Sequence, residues 1–337
     1  MDSFKLRKEF VDFLERVGYI NTVEIKRAFL EIPREVFAPY NSSLSDVYSD
    51  DVIVTYMKDG KVVSTSSQPS LMARMIEMLG IKKGDNVLEI GTGTGYNAAI
   101  ISRIVGEEGK VITVEVRDEL CEIAKENFKK LGLENILVIN SDGSPEALRD
   151  FSPFDSIVVT VGIDFPRKDF AYLIKTNGKI CFPLNFYTMD MNPTCLLKRT
   201  SRDFLLKVEI ASKFLRAEGK LAWRKNVFKR IDIDEILNLR PVSELKLEEL
   251  YHRDFEIFLE IVTLSLYRKS GFTVYFEGNE DVALFSHVYA KFYSKKVLEN
   301  MMKILSLWRS LREPSIFDLT FRVSYISEKP EIEPKTN

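Results

Sequence analysis

The sequence has few residues that form disulfides or bind metal ions. Its 337 residues include three cysteines, Cys121, Cys181 and Cys195, and two histidines, His252 and His287. An odd number of cysteines without CxxC spacing favours neither a disulfide framework nor a cysteine zinc site. Two histidines give little support to a Ser-His-Asp hydrolase or a histidine-rich metal site. We therefore expect no metal centre and a reducing, cytoplasmic environment.

Long apolar runs and an excess of one charge are also lacking. No stretch reaches the roughly 18 apolar residues that span a bilayer, and residues 1–17 carry charges throughout, unlike a signal peptide. Lys plus Arg number 48 against 50 Asp plus Glu, a net charge of −2. This balance gives no support to a nucleic-acid surface. We expect a cytoplasmic protein that binds neither nucleic acid nor membrane and has about two domains.

The spacing of apolar residues predicts the architecture of the first two thirds of the chain. Residues 1–60 are predicted to form a cap of two helices, over 4–16 and 22–30, followed by irregular loops that face the substrate. From Gly84 onward, short β-rich runs alternate with helical segments. This alternation is typical of a parallel sheet covered by helices on both faces. We predict a Rossmann-like, doubly wound, mostly parallel α/β core over residues 61–224.

The alternation stops after about Trp223, and a smaller α+β domain is predicted over residues 225–328. Its helices are expected over 243–270 and 294–312, and its strands over 272–278 and 316–326. The last residues, 329–337, are rich in acidic residues and proline and are predicted to be disordered.

A glycine-rich turn, VLEIGTGTGY at residues 87–96, is the most informative segment. Its glycines, Gly91, Gly93 and Gly95, allow a tight turn and close backbone approach to a ligand between a strand and a helix. A dinucleotide fingerprint would require a third glycine at position 96, which is Tyr96, so the spacing counts against an NAD dehydrogenase. Glu89, just before the first glycine, would attract a cation and repel a pyrophosphate. A purely structural strand-to-helix connection is the alternative.

Acidic residues follow the next two predicted strands. Glu115 ends the strand VITVEV, where a carboxylate can accept both hydrogen bonds of a ribose diol, as in NAD and other adenosine ligands. Asp142 and Gly143 end the following strand, where they could contact an adenine edge. Ligands of parallel sheets bind outside the carboxyl ends of the strands, so we predict the site there. A solvated strand end remains the alternative for Glu115.

These motifs resemble those of a known enzyme family. E-x-G-x-G-x-G resembles motif I of class I S-adenosylmethionine methyltransferases, and other segments narrow the resemblance to protein-L-isoaspartate O-methyltransferases. The segments are IPREVFAP (32–39), STSSQPSLMARMIEML (64–79), SDG (141–143) and FSPFDSIVVTVG (151–162). Together the matches cover about residues 5–185. The region after about residue 225 resembles the extension of longer, Thermotoga-type members.

The chain departs from the family pattern on the substrate side. Ser141 replaces the usual Gly before Asp-Gly, and Ser66 stands where the family often has Ile. PLNF at 183–186 replaces the P-x-G of many members. Cofactor contacts are therefore better supported by the motifs than substrate contacts.

The resemblance, to protein-L-isoaspartate (D-aspartate) O-methyltransferases, implies transfer of the methyl group of S-adenosylmethionine, leaving S-adenosylhomocysteine, to the free carboxylate of L-isoaspartyl residues in damaged proteins. A carboxylate is ionised at neutral pH, so such an enzyme needs positioning more than a strong base. The resemblance implies that Ser67 is catalytic and that its hydroxyl orients the attacking oxygen. The alternative is that Ser66, Ser67 or Ser70 caps the helix that begins near Pro69.

The resemblance also implies the remaining site residues. The cofactor-binding residues are Ser67, Glu89, Gly91, Thr92, Gly93, Thr94, Gly95, Asn97, Glu115, Asp142 and Gly143. The substrate-binding residues are Ser66, Gln68, Pro69, Val159, Thr160 and Val161. Val159 to Val161 end a predicted strand, where backbone groups could pair with an extended peptide. A plain buried strand is the alternative for them.

Two other functions keep the same cofactor. One is a methyltransferase for a dedicated carboxylate in a partner peptide, and the other is a module that binds S-adenosylmethionine without turnover. We further hypothesise that the C-terminal domain stabilises the core or forms a homo-oligomer, because it is rich in aromatic residues. These are Tyr267, Phe272, Tyr275, Phe276 and Trp308.

Overall fold

The computed structural model describes most of the chain. The described residues are 2–217, 219–222, 224, 233–246, 253–269, 272–277, 281–286, 289–325, 327 and 330–335. His252 and His287 lie outside them. None of the described helices is both long and apolar enough to span a bilayer.

The helices and strands alternate through the first half of the chain, as the pattern predicts. The helices are α1 Ser3–Arg16, α2 Val23–Glu31, α3 Leu44–Val47, α4 Pro69–Leu79, α5 Tyr96–Val105, α6 Asp118–Lys130, α7 Pro145–Leu148, α8 Lys168–Ala171, α9 Ile233–Leu237, α10 Arg253–Thr263 and α11 Lys295–Ser310. The strands are β1 Ile53–Lys58, β2 Lys61–Ser66, β3 Asn86–Ile90, β4 Lys110–Glu115, β5 Ile136–Asn140, β6 Phe154–Val159, β7 Ile174–Pro183, β8 Thr194–Arg199, β9 Phe204–Ile210, β10 Ser243–Lys246, β11 Leu266–Lys269, β12 Phe272–Phe276, β13 Val282–Phe285, β14 Tyr289–Phe292, β15 Thr320–Ser324 and β16 Glu331–Pro334.

The main sheet has nine strands in the order β16-β15-β9-β8-β7-β6-β3-β4-β5. Strands β3 to β7 pair in parallel, and β8, β9, β15 and β16 add antiparallel pairs at one side. The predicted Rossmann-like fold class is confirmed, with a mixed sheet whose parallel half carries the crossover helices. The carboxyl ends of β3, β4 and β6 therefore lie side by side, where a ligand site is expected.

Both faces of the parallel strands are buried, because successive side chains point to opposite faces. Val87 belongs to a hydrophobic cluster with Ile101 of α5 and other residues of α1, α2 and α4. Its neighbour Leu88 belongs to the cluster on the other face, which includes Phe258 of α10 and Trp308 of α11. This second cluster continues into the C-terminal extension, which we define as residues 225–335.

The N-terminal region holds the two predicted helices, α1 and α2. The stretch predicted to be irregular instead contains α3 and β1, and β1 pairs with β2 in a hairpin. Strands of about six residues that are half exposed carry too little hydrophobic alternation to be recognised. The hairpin leads directly into the segment Ser66–Gln68.

The extension contains its own antiparallel sheet, in the order β10-β14-β13-β12-β11. Strand β12 and helix α11 confirm two of its predicted elements. The prediction of helix over 243–270 was wrong at both ends, where β10 and β11 pair with β14 and β12. Four-residue strands are too short to show a period of two. Tyr275 and Trp308 are buried inside the extension, so they stabilise it and do not form an exposed surface.

The described part of the tail, residues 330–335, contains a strand where the sequence analysis predicts disorder. Strand β16 pairs with β15, and β15 pairs with β9 of the main sheet. Ile332 is buried in the large hydrophobic cluster, while Glu331 and Glu333 point to solvent. The burial of Ile332 between two exposed acidic residues determines which face of β16 packs on the sheet. The last strands of the extension, β15 and β16, are thus part of the main sheet.

Candidate active site

A cavity of about 1010 Å³ opens at the carboxyl ends of β3, β4 and β6. Its walls are the loop between β2 and α4, the glycine-rich turn, the ends of β4 and β6, and residues 210–217 after β9. The lining includes thirteen of the predicted site residues, namely Ser66, Ser67, Gln68, Gly91, Thr92, Gly93, Thr94, Gly95, Asn97, Glu115, Asp142, Thr160 and Val161. The sequence motifs, far apart in the chain, therefore meet at one cavity.

Four predicted residues do not line this cavity: Glu89, Pro69, Gly143 and Val159. Val159 is fully buried in β6, and Pro69 is buried as the first residue of α4. A Cβ on Gly143 would lie 3.1 Å from Leu221 Cδ1, so this glycine packs behind the wall. These three residues support the site without facing it.

The glycine-rich turn requires glycine where backbone and neighbours leave no room for a side chain. Gly91 has a φ of +99°, and a Cβ there would lie 2.5 Å from Thr160 Oγ1. Gly95 has a φ of +100°, and its Cβ would lie 2.6 Å from the Phe128 ring. The turn thus presents bare backbone to the cavity, followed by the N-terminus of α5.

Glu89 faces away from the cavity, which corrects the prediction that it meets the ligand directly. The side chain is fully buried, and its two oxygens accept hydrogen bonds from Asn97 Nδ2 at 2.8 Å and Thr113 Oγ1 at 2.6 Å. Burial raises the pKa of Glu89 to about 7. Its influence reaches the cavity through Asn97, which lines it.

Glu115 is fixed by backbone donors at the end of β4. One oxygen accepts from Gly93 N at 2.9 Å, and the other from Val116 N at 3.0 Å and Arg117 N at 3.2 Å. Burial raises the pKa of Glu115, and these three N–H groups oppose that rise. A carboxylate has about four lone-pair sites, so one that accepts three bonds here can still accept from a ligand hydroxyl.

The Ser66–Gln68 segment forms the wall opposite the turn. Ser66 Oγ is buried, lines the cavity and has no hydrogen-bond partner among the described residues. None of the three candidate serines caps α4. The N-cap residue is Gln68, and the Ser70 backbone N–H in the first turn donates to Asp50 Oδ1 at 2.8 Å. The hydroxyls of Ser66 and half-buried Ser67 are therefore not used as helix caps.

Arg34 supports this wall, and the sequence analysis did not select it. Its guanidinium, 1% exposed, donates to the carbonyls of Val47, Ser49 and Asp51, each at 3.0 Å, and of Ser67 at 3.2 Å. One buried cation thus ties the loop before β1 to the Ser67 backbone. An arginine inside the proline-bounded apolar motif IPREVFAP was the available signal.

The remaining wall, residues 210–217, was also missed. Gly162 N donates to the Leu215 carbonyl at 2.7 Å, and Ala217 N donates to the Gly162 carbonyl at 2.8 Å, so the segment runs beside the end of β6. It adds two cations to the lining, Lys213 and Arg216. Lys213 pairs with an aspartate, Asp190, at 2.5 Å. The segment has no recognisable motif, so only long-range contacts reveal it.

Among the described residues, no three His, Cys, Asp or Glu side chains come together as a potential metal site. The lining of the cavity instead combines bare backbone, hydroxyls, two carboxylates (Glu115 and Asp142) and several cations. Such a lining suits binding and orientation of a polar ligand more than metal-assisted chemistry.

Comparisons with known proteins agree on one family. A family model described as protein-L-isoaspartate(D-aspartate) O-methyltransferase matches residues 5–219. The protein-L-isoaspartate O-methyltransferase of Thermotoga maritima is 36% identical over 324 residues, which is 95% of this chain and 97% of that protein. The Pyrococcus abyssi protein of the same name is 32% identical over 225 residues, 67% of this chain and 100% of its own.

Solved structures extend the similarity to the fold. A protein-L-isoaspartate O-methyltransferase matches with a TM-score of 0.75 at 34% identity, covering 98% of this chain and 100% of that chain, so it includes a C-terminal extension. A Plasmodium falciparum structure in complex with S-adenosyl-L-homocysteine has a TM-score of 0.54 at 18% identity, covering 63% of this chain and 98% of its own. At that identity the similarity concerns the fold.

Proposed function

The chain belongs to the protein-L-isoaspartate(D-aspartate) O-methyltransferase family, and from this premise we propose how its cavity works. It is an S-adenosylmethionine-dependent protein carboxyl methyltransferase, and the family resemblance of its motifs is confirmed. Its substrates are proteins in which an aspartyl or asparaginyl residue has become L-isoaspartyl, and its reaction methylates the free carboxylate.

One observation carries the proposal: the glycine-rich turn, Glu115 and the Ser66–Gln68 segment face a single cavity. The first two features suit an adenosine ligand, and the third provides hydroxyls on the opposite wall. Methyl transfer needs a donor and an acceptor aligned on one line, so walls of different character on one cavity fit that reaction.

The residues of the turn fit S-adenosylmethionine. Gly91 presents bare backbone to the cavity, because a Cβ there would clash with Thr160 Oγ1, and Glu115 keeps acceptor capacity for a ribose hydroxyl. When bound, the cofactor supplies an electrophilic methyl group on a sulfonium. We assign its binding to Ser67, Asn97, Glu115, Asp142 and the turn, with Glu89 acting through Asn97 and Gly143 supporting the wall.

The Ser66–Gln68 segment orients the acceptor. The Ser67 hydroxyl donates a hydrogen bond to the acceptor carboxylate, while Arg34 fixes the Ser67 carbonyl. Ser66 Oγ, which is buried and without a partner among the described residues, offers a second polar contact. Thr160 and Val161 flank the acceptor, and Val159 and Pro69 hold the backbone behind them. No proton transfer is required, because the acceptor is already ionised.

The remaining assignments also belong to this proposal. Residues 1–60 form the cap, residues 61–224 the methyltransferase core and residues 225–328 the smaller C-terminal domain within the extension, and any homo-oligomer forms through that domain. We propose that the enzyme works in the cytoplasm on damaged proteins and does not bind nucleic acid or membrane. The net charge of −2, close to zero, supports the absence of nucleic-acid and membrane binding.

Two synthetic peptides of one sequence test the reaction. One carries Asp and the other L-isoAsp at a single position, and each is incubated with radiolabelled S-adenosylmethionine. Base-labile label on the L-isoAsp peptide alone is expected. Label on neither peptide, with S-adenosylhomocysteine binding intact by calorimetry, would overturn the proposal in favour of a dedicated partner peptide or a module without turnover.

A further inference from the structure

A buried charged cluster joins the extension to the methyltransferase core. Glu260 of α10 is completely buried, and one of its oxygens accepts from Tyr187 N at 2.7 Å and Arg224 Nη2 at 3.2 Å. The other oxygen accepts from Thr188 Oγ1 at 2.5 Å. A helix of the extension thus holds the chain segment between β7 and β8.

Arg224 continues the cluster toward the cavity. Its backbone N–H donates to Asp164 Oδ2 at 2.5 Å, and Tyr187 Oη donates to Asp164 Oδ1 at 2.9 Å. Asp164 N in turn donates to the carbonyl of Leu221, which lines the cavity, at 2.8 Å. One face of the cluster is therefore bonded to the cavity wall.

The Tyr187 ring connects the cluster to the cavity wall a second time, through Arg216. Its centroid lies 4.9 Å from the guanidinium carbon of Arg224 and 4.7 Å from that of Arg216. Arg216 Nη2 also donates to the Phe186 carbonyl at 2.8 Å. Arg216 is exposed on the wall formed by residues 210–217 and has no carboxylate within salt-bridge distance among the described residues.

Stability alone is a poor explanation for this arrangement. Replacing a buried ion pair by apolar residues of similar volume is often neutral or stabilising, because desolvation offsets the attraction. What the cluster provides is a fixed position for Tyr187, and through it for the Arg216 guanidinium. An isoaspartyl acceptor is anionic, and a cation beside the end of β6 is complementary to it.

We propose that the C-terminal extension positions the acceptor-side wall of the active site through Glu260, Tyr187 and Arg216, and that Arg216 binds the anionic acceptor peptide. The inference rests on the proposed function. Arg216 is a specificity-determining residue, while Glu260 and Tyr187 are positioning residues.

The test uses the full chain and four variants. Arg216→Met removes the charge, Arg216→Lys keeps it, and Glu260→Gln weakens the support of Tyr187. Tyr325→Phe is the matched control, since it removes a hydrogen bond of the extension, 2.6 Å to the Pro166 carbonyl, that is not bonded to the cavity wall. For each protein we would measure kcat and KM for the L-isoAsp peptide, the Kd for S-adenosylhomocysteine and the Tm.

We expect Arg216→Met to raise the peptide KM about tenfold, as loss of a charged hydrogen bond does. Arg216→Lys should recover part of that loss, and Glu260→Gln should raise KM about fivefold. The Kd for S-adenosylhomocysteine should stay within about twofold in all of them, and Tyr325→Phe should leave KM within about twofold.

Several results would overturn the inference. An unchanged peptide KM in Arg216→Met is one. A raised KM in Arg216→Met together with an unchanged KM in folded Glu260→Gln is another. The third is a loss of affinity for S-adenosylhomocysteine in these variants that parallels the rise in peptide KM. If Glu260→Gln does not fold, Tyr187→Leu replaces it, because this change removes the ring beneath Arg216 and leaves Glu260 paired with Arg224. A wild-type protein that labels no peptide overturns the proposed function itself, which separates the two failures.

Discussion

The walls of the cavity that we propose for the cofactor and for the acceptor, here called the cofactor side and the acceptor side, are built in different ways. Most of the proposed cofactor side is one continuous stretch, the end of β3 and the glycine-rich turn, completed by Glu115 at the end of the neighbouring strand β4 and by Asp142 and Ser67 from two further segments. The acceptor side combines the Ser66–Gln68 segment with residues 210–217, and its supports are Arg34 in the N-terminal cap and Glu260 in the extension.

This difference shows which part of an active site can be recognised from a short segment of the sequence. Bare backbone at a turn requires particular residues at adjacent positions, because φ and steric contact are local properties. A wall that faces a variable polypeptide is assembled from separate segments, which only tertiary contacts hold in place. Variants of the cofactor side should therefore change cofactor affinity, and variants of the acceptor side should change turnover or peptide KM.

The largest effect is expected from Gly91→Ala on the cofactor side. The new Cβ would lie 2.5 Å from Thr160 Oγ1 at a φ of +99°. We expect the Kd for S-adenosylhomocysteine to rise about a hundredfold or more, measured by calorimetry. Gly132→Ala is the control, because its φ is +63° and a Cβ there meets nothing within 4 Å. Equal affinity in both variants would contradict the backbone cradle.

Arg34→Met should have the next largest effect, and on the acceptor side. It leaves four backbone carbonyls without their donor, including that of Ser67. We expect kcat to fall about thirtyfold with an unchanged Kd for S-adenosylhomocysteine. The control is Arg199→Met, which removes a comparable hydrogen bond, 2.6 Å to the Ile174 carbonyl, away from the cavity. A lower Tm in both variants with normal kcat would make Arg34 purely structural.

Ser67→Ala tests the acceptor side at the reacting atoms. Loss of one oriented hydroxyl donor should lower kcat about tenfold and leave the protein folded. Single-turnover methylation of the L-isoAsp peptide measures it, with the exposed Ser45→Ala as control. An unchanged kcat would mean that Ser67 has no role in orienting the acceptor, and an unchanged Kd for S-adenosylhomocysteine would mean that it has none in binding the cofactor.

Much of the fold was predictable, because periodicity and turn chemistry are local. The alternation after Gly84 predicts the parallel strands, and the spacing of the glycines predicts the strand-turn-helix at β3 and α5. What failed were short strands, as at Ser243–Lys246, and the tail strand around Ile332. These gain their stability from pairing with distant strands, and that pairing leaves little trace in a window of four residues.

The site shows the same limit. Glu89 was correctly located in its motif, yet whether a side chain at a strand end faces the ligand or the layer beneath depends on its partners, here Asn97 and Thr113. Arg34 was not selected although its motif IPREVFAP offered a signal, and Arg216 had no such signal, because an arginine in a sequence is usually a solvated charge. Their roles come from the backbone carbonyls that surround them in the fold.

The smallest effect concerns Glu89 beneath the cofactor side, and it appears in stability. Its pKa of about 7 in the folded protein lies above the ordinary glutamate pKa of 4.5, so between these two pH values the folded protein keeps a proton that the unfolded chain has lost. The resulting stabilisation is complete below about pH 4.5 and is lost as the pH rises through about 7. Between about pH 6 and 8, the free energy of unfolding should fall about 1 kcal/mol further in wild type than in Glu89→Gln, as urea denaturation would measure. If the free energy of unfolding of wild type and of Glu89→Gln changes with pH in parallel, the hydrogen bonds from Asn97 and Thr113 offset the effect of burial on the carboxylate. Glu89 would then be charged at neutral pH.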